Sequence, residues 1–185
     1  MKIPLTLISL EEAMSFAIDL ANTHDPMREP VDSLADADTA TEFLQPLLEE
    51  KEDAVRIGRE LRPHRDILRK AFLDFAAGLE NDQSTWQGLE TALESDWKLG
   101  QDGEGKLSAF PGQKQSAVKR LVSWSALGFF ALMQGAPERV RVCQSAPCEE
   151  VFHDKTKAGR QRFCSKRCGT RFNVAQYRSR ERDSG

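Results

Sequence analysis

Apolar residues recur at the spacing of an α-helix over most of the first 135 residues. The first such segment is residues 9–23, where Ser9 is a good N-cap and Glu12, three residues later, completes a capping box. Its apolar positions share one helical face and are Leu10, Ala13, Met14, Ala17 and Ile18. The pattern therefore predicts an amphipathic helix at this position.

The same spacing predicts four further helices. They run from Asp38 or Thr39 to Leu48, from Glu52 to Gly78, over 83–95 and over 115–135. Pro63 lies inside the second of these and predicts a kink or a break near Leu61, because proline removes a backbone donor and clashes with the preceding turn. Residues 115–135 are strongly apolar and are predicted to form the core helix. Alternation around a D-G/E-G turn predicts a hairpin over 96–110.

Beyond about Pro137 the pattern changes to short strand-like pieces followed by a basic helix. Residues 139–185 contain 12 lysines and arginines against five acidic residues, whereas residues 1–138 contain 14 against 24. A module of about 45 residues with so few apolar side chains needs a covalent cross-link or a bound metal to fold stably. We therefore divide the chain into an acidic, mainly helical domain (1–138) and a small basic module (139–185).

The four cysteines of the chain all lie in this module, in the pattern C-x4-C-x15-C-x3-C. Two close pairs separated by a medium-length insert are typical of a structural zinc site. The second pair opens a helix, with Ser165 as N-cap, as in a treble-clef-like finger. We predict one structural Zn²⁺ held by Cys143, Cys148, Cys164 and Cys168. Four sulfur ligands leave no position for a catalytic water.

Alternatives to structural zinc remain at this point. Iron also binds four thiolates, although usually through tighter cysteine pairs, and His153 between the two pairs is a competing ligand. Two disulfides would require an oxidising compartment. The N-terminal residues lack the pattern of a secretion signal and no apolar run could cross a bilayer, so we expect a cytoplasmic protein without a membrane contact.

The helix predicted from Ser165 to about Arg182 is rich in arginine and carries acids only at its end. Cys168, Phe172, Ala175 and Ser179 should face the metal module. An adjacent basic stripe is formed by Arg167, Arg171, Arg178 and Arg182, and it is flanked by Lys166 and Arg180. Such a stripe favours contact with a polyanion such as DNA. Docking on the acidic domain or on a protein, or a solvated face, are the alternatives.

The segment "CQSAPC…VFHDKTKAGRQRFCSKRCGTR…YRSR" resembles the CGNR zinc finger proteins of bacteria. The N-terminal "FAIDLANT" (16–23) and the "LR…LR" pattern at 61–69 are similar to the ABATE domain that accompanies this finger. The resemblance implies a stress-induced transcription regulator whose finger binds DNA, and it assigns the metal to the same four cysteines. The signature glycine and arginine correspond to Gly169 and Arg171. Thr170 replaces the signature asparagine, and its hydroxyl could still bind a phosphate.

The "LANTHD" segment places Asn22 and Thr23 at the end of the first predicted helix. Asn22 either caps that helix or lines a pocket for a small effector. In the second interpretation Asn22 and Thr23, with Arg62 or Arg65, supply the polar contacts.

The hypothesis that best unites these features is a one-component regulator. Its mainly α fold with a small β-hairpin comprises a helical N-terminal domain, which senses an effector or forms a homodimer, and a C-terminal treble-clef-like zinc finger that binds DNA. The alternative is a zinc-stabilised module that docks on RNA or a protein partner. We predict no enzymatic activity, because the sequence contains no nucleophile elbow, P-loop, dinucleotide fingerprint or histidine-bearing metal motif.

Overall fold

A computed structural model describes residues 9–101, 107–111 and 115–183. The N-terminal part is a bundle of helices: α1 (Leu10–Ala21), α2 (Ala37–Leu44), α3 (Ala54–Ala76), α4 (Gln83–Leu93) and α5 (Ala117–Gly135). Two antiparallel strands, β1 (Trp97–Gln101) and β2 (Leu107–Pro111), lie between α4 and α5. The mainly helical fold with a small hairpin is confirmed, while the predicted D-G/E-G turn lies outside the described residues.

The helix ends follow from side-chain caps. Ser9 Oγ accepts a hydrogen bond from the Glu12 amide at 3.2 Å, and Glu12 accepts one from the Ser9 amide at 2.6 Å, so the predicted capping box is confirmed. Helix α2 is capped by Asp36 rather than by Asp38 or Thr39. It also ends at Leu44 and not Leu48, and a 3₁₀ turn (Gln45–Leu47) follows. Pro46 in this turn has no amide hydrogen with which to continue the α-helical pattern.

Helix α3 is continuous through Pro63, so the predicted break near Leu61 does not occur. Leu61 and Leu68, which flank the proline, are completely buried in the core. We attribute the continuity of the helix to this packing, which outweighs the local cost of about 3 kcal/mol for a proline inside a helix.

Helix α5 lies at the centre of the bundle, as predicted, and packs closely on α1. A Cβ atom on Gly128 would lie 2.0 Å from the carbonyl oxygen of Ala13, so only glycine permits this approach of the two backbones. Trp124 stacks on Phe16 with ring centroids 4.6 Å apart, and Phe129 meets Phe72 edge to face at 4.8 Å. These contacts join α1, α3 and α5 in one hydrophobic core.

The C-terminal module begins with a 3₁₀ turn (Pro137–Arg139) and two antiparallel strands, β3 (Val140–Val142) and β4 (Val151–His153). Helix α6 (Lys166–Asp183) follows. Val140 and Val151 belong to the same buried cluster as the helices, so this hairpin packs directly on the helical body. A second, small cluster contains the cysteines and Phe152. Within the described part of the chain, no helix is long and apolar enough to span a bilayer.

Candidate metal centre

The four cysteine sulfurs form one cluster in which all Sγ atoms lie within 4.8 Å of one another. The Sγ of Cys164 is 3.8 Å from that of Cys148 and 3.5 Å from that of Cys168. Both separations are far too long for a disulfide bond of about 2.05 Å. They match a tetrahedral site, in which Zn–S bonds of about 2.3 Å place the sulfurs about 3.8 Å apart. The cluster can therefore hold one zinc ion, and the predicted ligand set comes together.

Short backbone contacts position the first cysteine pair. Cys143 leaves strand β3 with its amide bonded to the Glu150 carbonyl at 2.9 Å, and the Cys148 amide bonds back to the Ser145 carbonyl at 2.9 Å. These bonds close a tight turn that directs both side chains inward, and both cysteines are buried.

The second pair is positioned by the start of α6. Ser165 Oγ accepts a hydrogen bond from the Cys168 amide at 3.3 Å, which confirms Ser165 as the N-terminal cap. The amide of Gln144 bonds to the Arg162 carbonyl at 3.0 Å and holds the two pairs side by side. His153 lies on β4 outside the cluster, so the cysteine-only interpretation of the site is the one that the geometry supports.

The chemistry of the thiols also fits a cation. Burial raises the pKa of Cys148 to about 11, and burial together with hydrogen bonding to Glu150 raises the pKa of Cys164. Burial acts in the same sense on Cys168, but hydrogen bonds with Ser165 and Cys164 outweigh it and lower the pKa of that thiol. Thiolate is the form that binds a metal, so a divalent cation at this cluster would displace the thiol protons and offset the charge of the buried sulfurs.

Arg171 is the basic side chain that lies against the sulfurs. Its Nη2 donates to the Ser145 carbonyl at 2.6 Å and approaches the Cys168 Sγ at 3.5 Å, while its Nε donates to Ser145 Oγ at 3.1 Å. The guanidinium thus connects α6 to the first cysteine turn and places positive charge beside the thiolates. The sequence placed Arg171 in the polyanion stripe and matched it to the signature arginine, but nothing in the local pattern shows that the side chain turns inward.

An aromatic pair fixes the beginning of α6 on the finger. The rings of Phe163 and Phe172 lie 5.1 Å apart, and the Arg162 guanidinium lies over both. A Cβ atom on Gly169 would lie 3.3 Å from the Phe163 ring, so the signature glycine makes room for this ring. Cys168 and Phe172 face the finger as predicted, whereas Ala175 is exposed, because these contacts end at Phe172.

Comparison with known proteins bears on this segment. Residues 139–181 match the CGNR zinc finger. The matched range contains both cysteine pairs, Gly169 and Arg171, and it confirms the predicted resemblance of the C-terminal module. No curated protein matches the chain. The match assigns no family to residues 1–138, so the ABATE domain stays a prediction.

The remaining basic side chains lie mostly on an exposed helix. Lys166, Arg167 and Thr170 are exposed on the first turns of α6, and Thr170 Oγ1 donates to the Lys166 carbonyl at 3.2 Å. From Asn173 to Arg182 every side chain is exposed except Ser179, which is half-buried. Arg178, Arg180 and Arg182 belong to this segment, so the structure presents most of the predicted stripe at the surface.

The predicted effector-binding residues do not all line one pocket. Asn22 and Thr23 line a cleft of about 660 Å³ between the helical body and the finger. Arg65 is buried and bonds through Nη2 to Asp32 at 2.9 Å and through Nη1 to Thr23 Oγ1 at 3.1 Å. Arg62 pairs with the same aspartate at 2.9 Å. Neither arginine is among the residues that line the cleft.

Asn22 instead joins the two parts of the protein. Its backbone caps the end of α1, as one interpretation predicted, but its side chain crosses to β4. Nδ2 donates to the Val151 carbonyl at 2.8 Å, and Oδ1 accepts from the Val151 amide at 2.9 Å. Arg28 adds an ion pair with Glu150 at 2.7 Å. The sequence contains no local signal for these contacts, because the partners are more than a hundred residues apart.

Proposed function

We propose that this protein is a zinc-dependent DNA-binding regulator of transcription that contacts duplex DNA through α6. The supporting observation is the exposed, arginine-rich surface of this helix, held by a four-cysteine metal centre. The 18 residues of α6 span about 27 Å, and the helix carries no acid before Glu181. A helix with cations along its length can contact successive phosphates or enter a major groove.

The exposure of α6 favours a partner. Helices on the surface of a globular protein normally bury one apolar stripe, whereas α6 beyond Phe172 buries none. Opposite charges at helical spacing would stabilise a solvated helix, but most of α6 carries cations without acids. A polyanion supplies the missing negative charge and accounts for the near absence of acidic side chains.

The metal centre gives this helix a defined direction. Cys168 and Arg171 both lie on α6 and contact the first cysteine turn, so a bound ion would fix the helix against the hairpin. Zinc in such a site would supply folding energy rather than chemistry at a substrate. Its removal should release α6 and abolish DNA binding, together with any regulation that depends on it.

The helical body is proposed to control the finger. The cleft of about 660 Å³ is lined by Asn22 at the end of α1, by Glu150 and Val151 of the finger, and by the metal-ligating residue Cys164. A small effector in this cleft would contact both parts at once and could change how the finger is held. The acidic composition of residues 1–138 keeps this part of the protein away from DNA.

Two measurements on the purified protein test the proposal. Elemental analysis should find one zinc per chain, and Cys164→Ser should lose it. Titration into a labelled duplex at two salt concentrations should show binding that weakens steeply with salt. Replacing Arg178 and Arg182 by alanine should flatten the salt dependence by about two units, one for each lost phosphate contact.

A matched control is the variant with alanine at Lys51 and Lys98, which removes the same charge from exposed positions of the helical body. It should bind duplex like the unmodified protein. Absence of duplex binding at low salt contradicts the proposal. Weak binding that ignores the Arg178 and Arg182 substitutions would instead favour docking on RNA or a protein, for which the exposed Val174 and Tyr177 offer apolar contacts.

A further inference from the structure

The basic surface of the finger extends beyond α6. Residues 155–180 contain no aspartate or glutamate. This stretch begins with the loop 155–160, "KTKAGR", which connects β4 to the second cysteine pair. The side chains of Lys155, Lys157 and Arg160 are all exposed on this loop. The neighbouring acid, Asp154, is completely buried, so its carboxylate does not lie beside them at the surface, and Lys155 lies 3.7 Å from Glu11 of the helical body.

The buried Asp154 carboxylate closes the loop from inside. Its Oδ1 accepts hydrogen bonds from the Thr156 amide at 2.9 Å and the Thr156 hydroxyl at 2.5 Å, and its Oδ2 accepts one from the Gln161 amide at 2.8 Å. The Thr156 hydroxyl contributes most to lowering the pKa of Asp154, to about 2. The carboxylate is therefore ionised at neutral pH and ties both ends of the loop to one point.

Two arginines from the first strand region hold the loop carbonyls. Arg139 donates through Nη1 to the carbonyls of Asp154 and Thr156, at 3.0 and 2.7 Å. Arg141 donates to the carbonyl of Gly159 at 2.9 Å, and Gly159 has the positive φ of 60° that turns the chain there. These carbonyl oxygens, which would repel an approaching phosphate, are thus occupied by guanidinium groups.

The loop is also connected to α6. Arg162, two residues after the loop, lies over the Phe172 ring of α6 with its guanidinium carbon 5.1 Å from the ring centroid. Loop and helix therefore belong to one connected unit around the metal centre. The positive charge of the loop affects its neighbours. Burial lowers the pKa of His153, and the charges of Lys155 and Arg139 lower it further.

We propose that the loop 155–160 is a second phosphate-binding element, which contacts the backbone of the duplex that α6 binds. This inference rests on the proposed function and adds a contact surface to it. Lys157 and Arg160 are the contacting side chains, and Asp154 and Thr156 position them. A preorganised loop binds phosphate at a lower entropic cost than a flexible one, because its backbone is already ordered.

The experiment measures duplex binding of the full-length, zinc-loaded chain across a salt series. The Lys157→Ala/Arg160→Ala variant should flatten the plot of log K against log salt by about two units. The Lys51→Ala/Lys98→Ala control loses the same charge and should keep the original slope. If the loop variant behaves like this control while the Arg178→Ala/Arg182→Ala variant loses affinity, the loop is not a contact and the proposed function stands. If the unmodified chain does not bind duplex, both fail.

A second variant tests the positioning role with the opposite electrostatic sign. Asp154→Asn removes a negative charge, so attraction by net charge alone would strengthen DNA binding. We expect weaker binding, because the loop loses the ionised carboxylate that holds both of its ends. Zinc content and circular dichroism show whether the variant is folded, and Thr156→Val, which changes no charge, is the milder alternative. Tighter binding by folded Asp154→Asn would overturn the positioning role.

Discussion

The Asn22→Ala substitution tests whether the helical body and the finger are one cooperative structure. The Asn22 amide makes two hydrogen bonds, and both are to the backbone of Val151 on β4. Val151 is 1% exposed and packs in the main core. Alanine therefore removes a pair of bonds between two parts of the chain without removing an apolar contact of comparable size.

The magnitude follows from the burial of these partners. A buried backbone group that loses its hydrogen bond costs about 1–3 kcal/mol, so two such groups bound the effect between about 2 and 6 kcal/mol. Asn22 and Val151 also line the open cleft of about 660 Å³, through which water can reach the exposed amide and carbonyl. We therefore expect the lower end, a decrease of about 2–3 kcal/mol in the free energy of unfolding.

Urea unfolding of the zinc-loaded protein measures this change. The chain has three tryptophans, Trp86, Trp97 and Trp124, and all lie in the helical body, so their fluorescence reports on that part alone. A shift of the tryptophan transition would show that loss of a finger contact weakens the body. Asn173→Ala, on the exposed side of α6, is the control and should change stability by at most about 0.5 kcal/mol. A change below about 1 kcal/mol for Asn22→Ala, or a tryptophan transition that does not move, would show that this contact does not couple the finger to the helical body.

Three further predictions concern the core, a buried histidine and the metal centre. Gly128→Ala should lower the free energy of unfolding by about 2–3 kcal/mol in urea, because its Cβ would lie 2.0 Å from the Ala13 carbonyl oxygen. Gly135→Ala, whose Cβ would have no neighbouring atom within 4 Å, should be neutral or stabilising. Burial, followed by the charge of Lys119, lowers the pKa of His64 to about 4. The unfolded chain then takes up the proton first, so stability is lost as pH falls from about 6.5 to about 4, by about 3 kcal/mol. His64→Gln should remove this part of the pH dependence, and identical profiles would contradict the assignment. Arg171→Ala should weaken zinc binding about 10–100-fold in a chelator competition. The control Arg167→Ala, at an exposed position, should bind zinc like the unmodified protein. Equal zinc affinity of the two variants would exclude the proposed role of Arg171.

Local patterns predicted the elements of this fold well. The capping box of α1, the apolar helix α5 and the short strands beyond Pro137 each depend on residues close together in the chain, and the structure confirms all three. The errors have local causes too. Asp36 competes with Asp38 and Thr39 as the cap of α2, and the burial of α3 on both sides of Pro63 outweighs the tendency of proline to break a helix.

The cysteine cluster was predictable for a different reason. Metal ligands in small modules come in close pairs, because each pair spans two corners of one tetrahedron, and that spacing is visible in the sequence. The burial of Asp154 was not visible. An aspartate between a strand and a lysine-rich loop is usually a surface residue, and only the folded chain shows that the loop closes around its carboxylate.

Local patterns in the chain are enough to predict the helices, the division of charge and the set of four sulfur ligands. These properties depend on spacing, composition and short-range hydrogen bonds. The folded structure was needed to show that Asn22 bonds to Val151, that Arg171 turns toward the sulfurs and that Arg65 is buried against Asp32. Such contacts join residues far apart in the chain. The same side chain can donate to solvent, to an ion or to a distant backbone group, and its identity in the sequence does not show which of these partners it has. The choice among them is made by which partners the packing of the core brings within hydrogen-bonding distance.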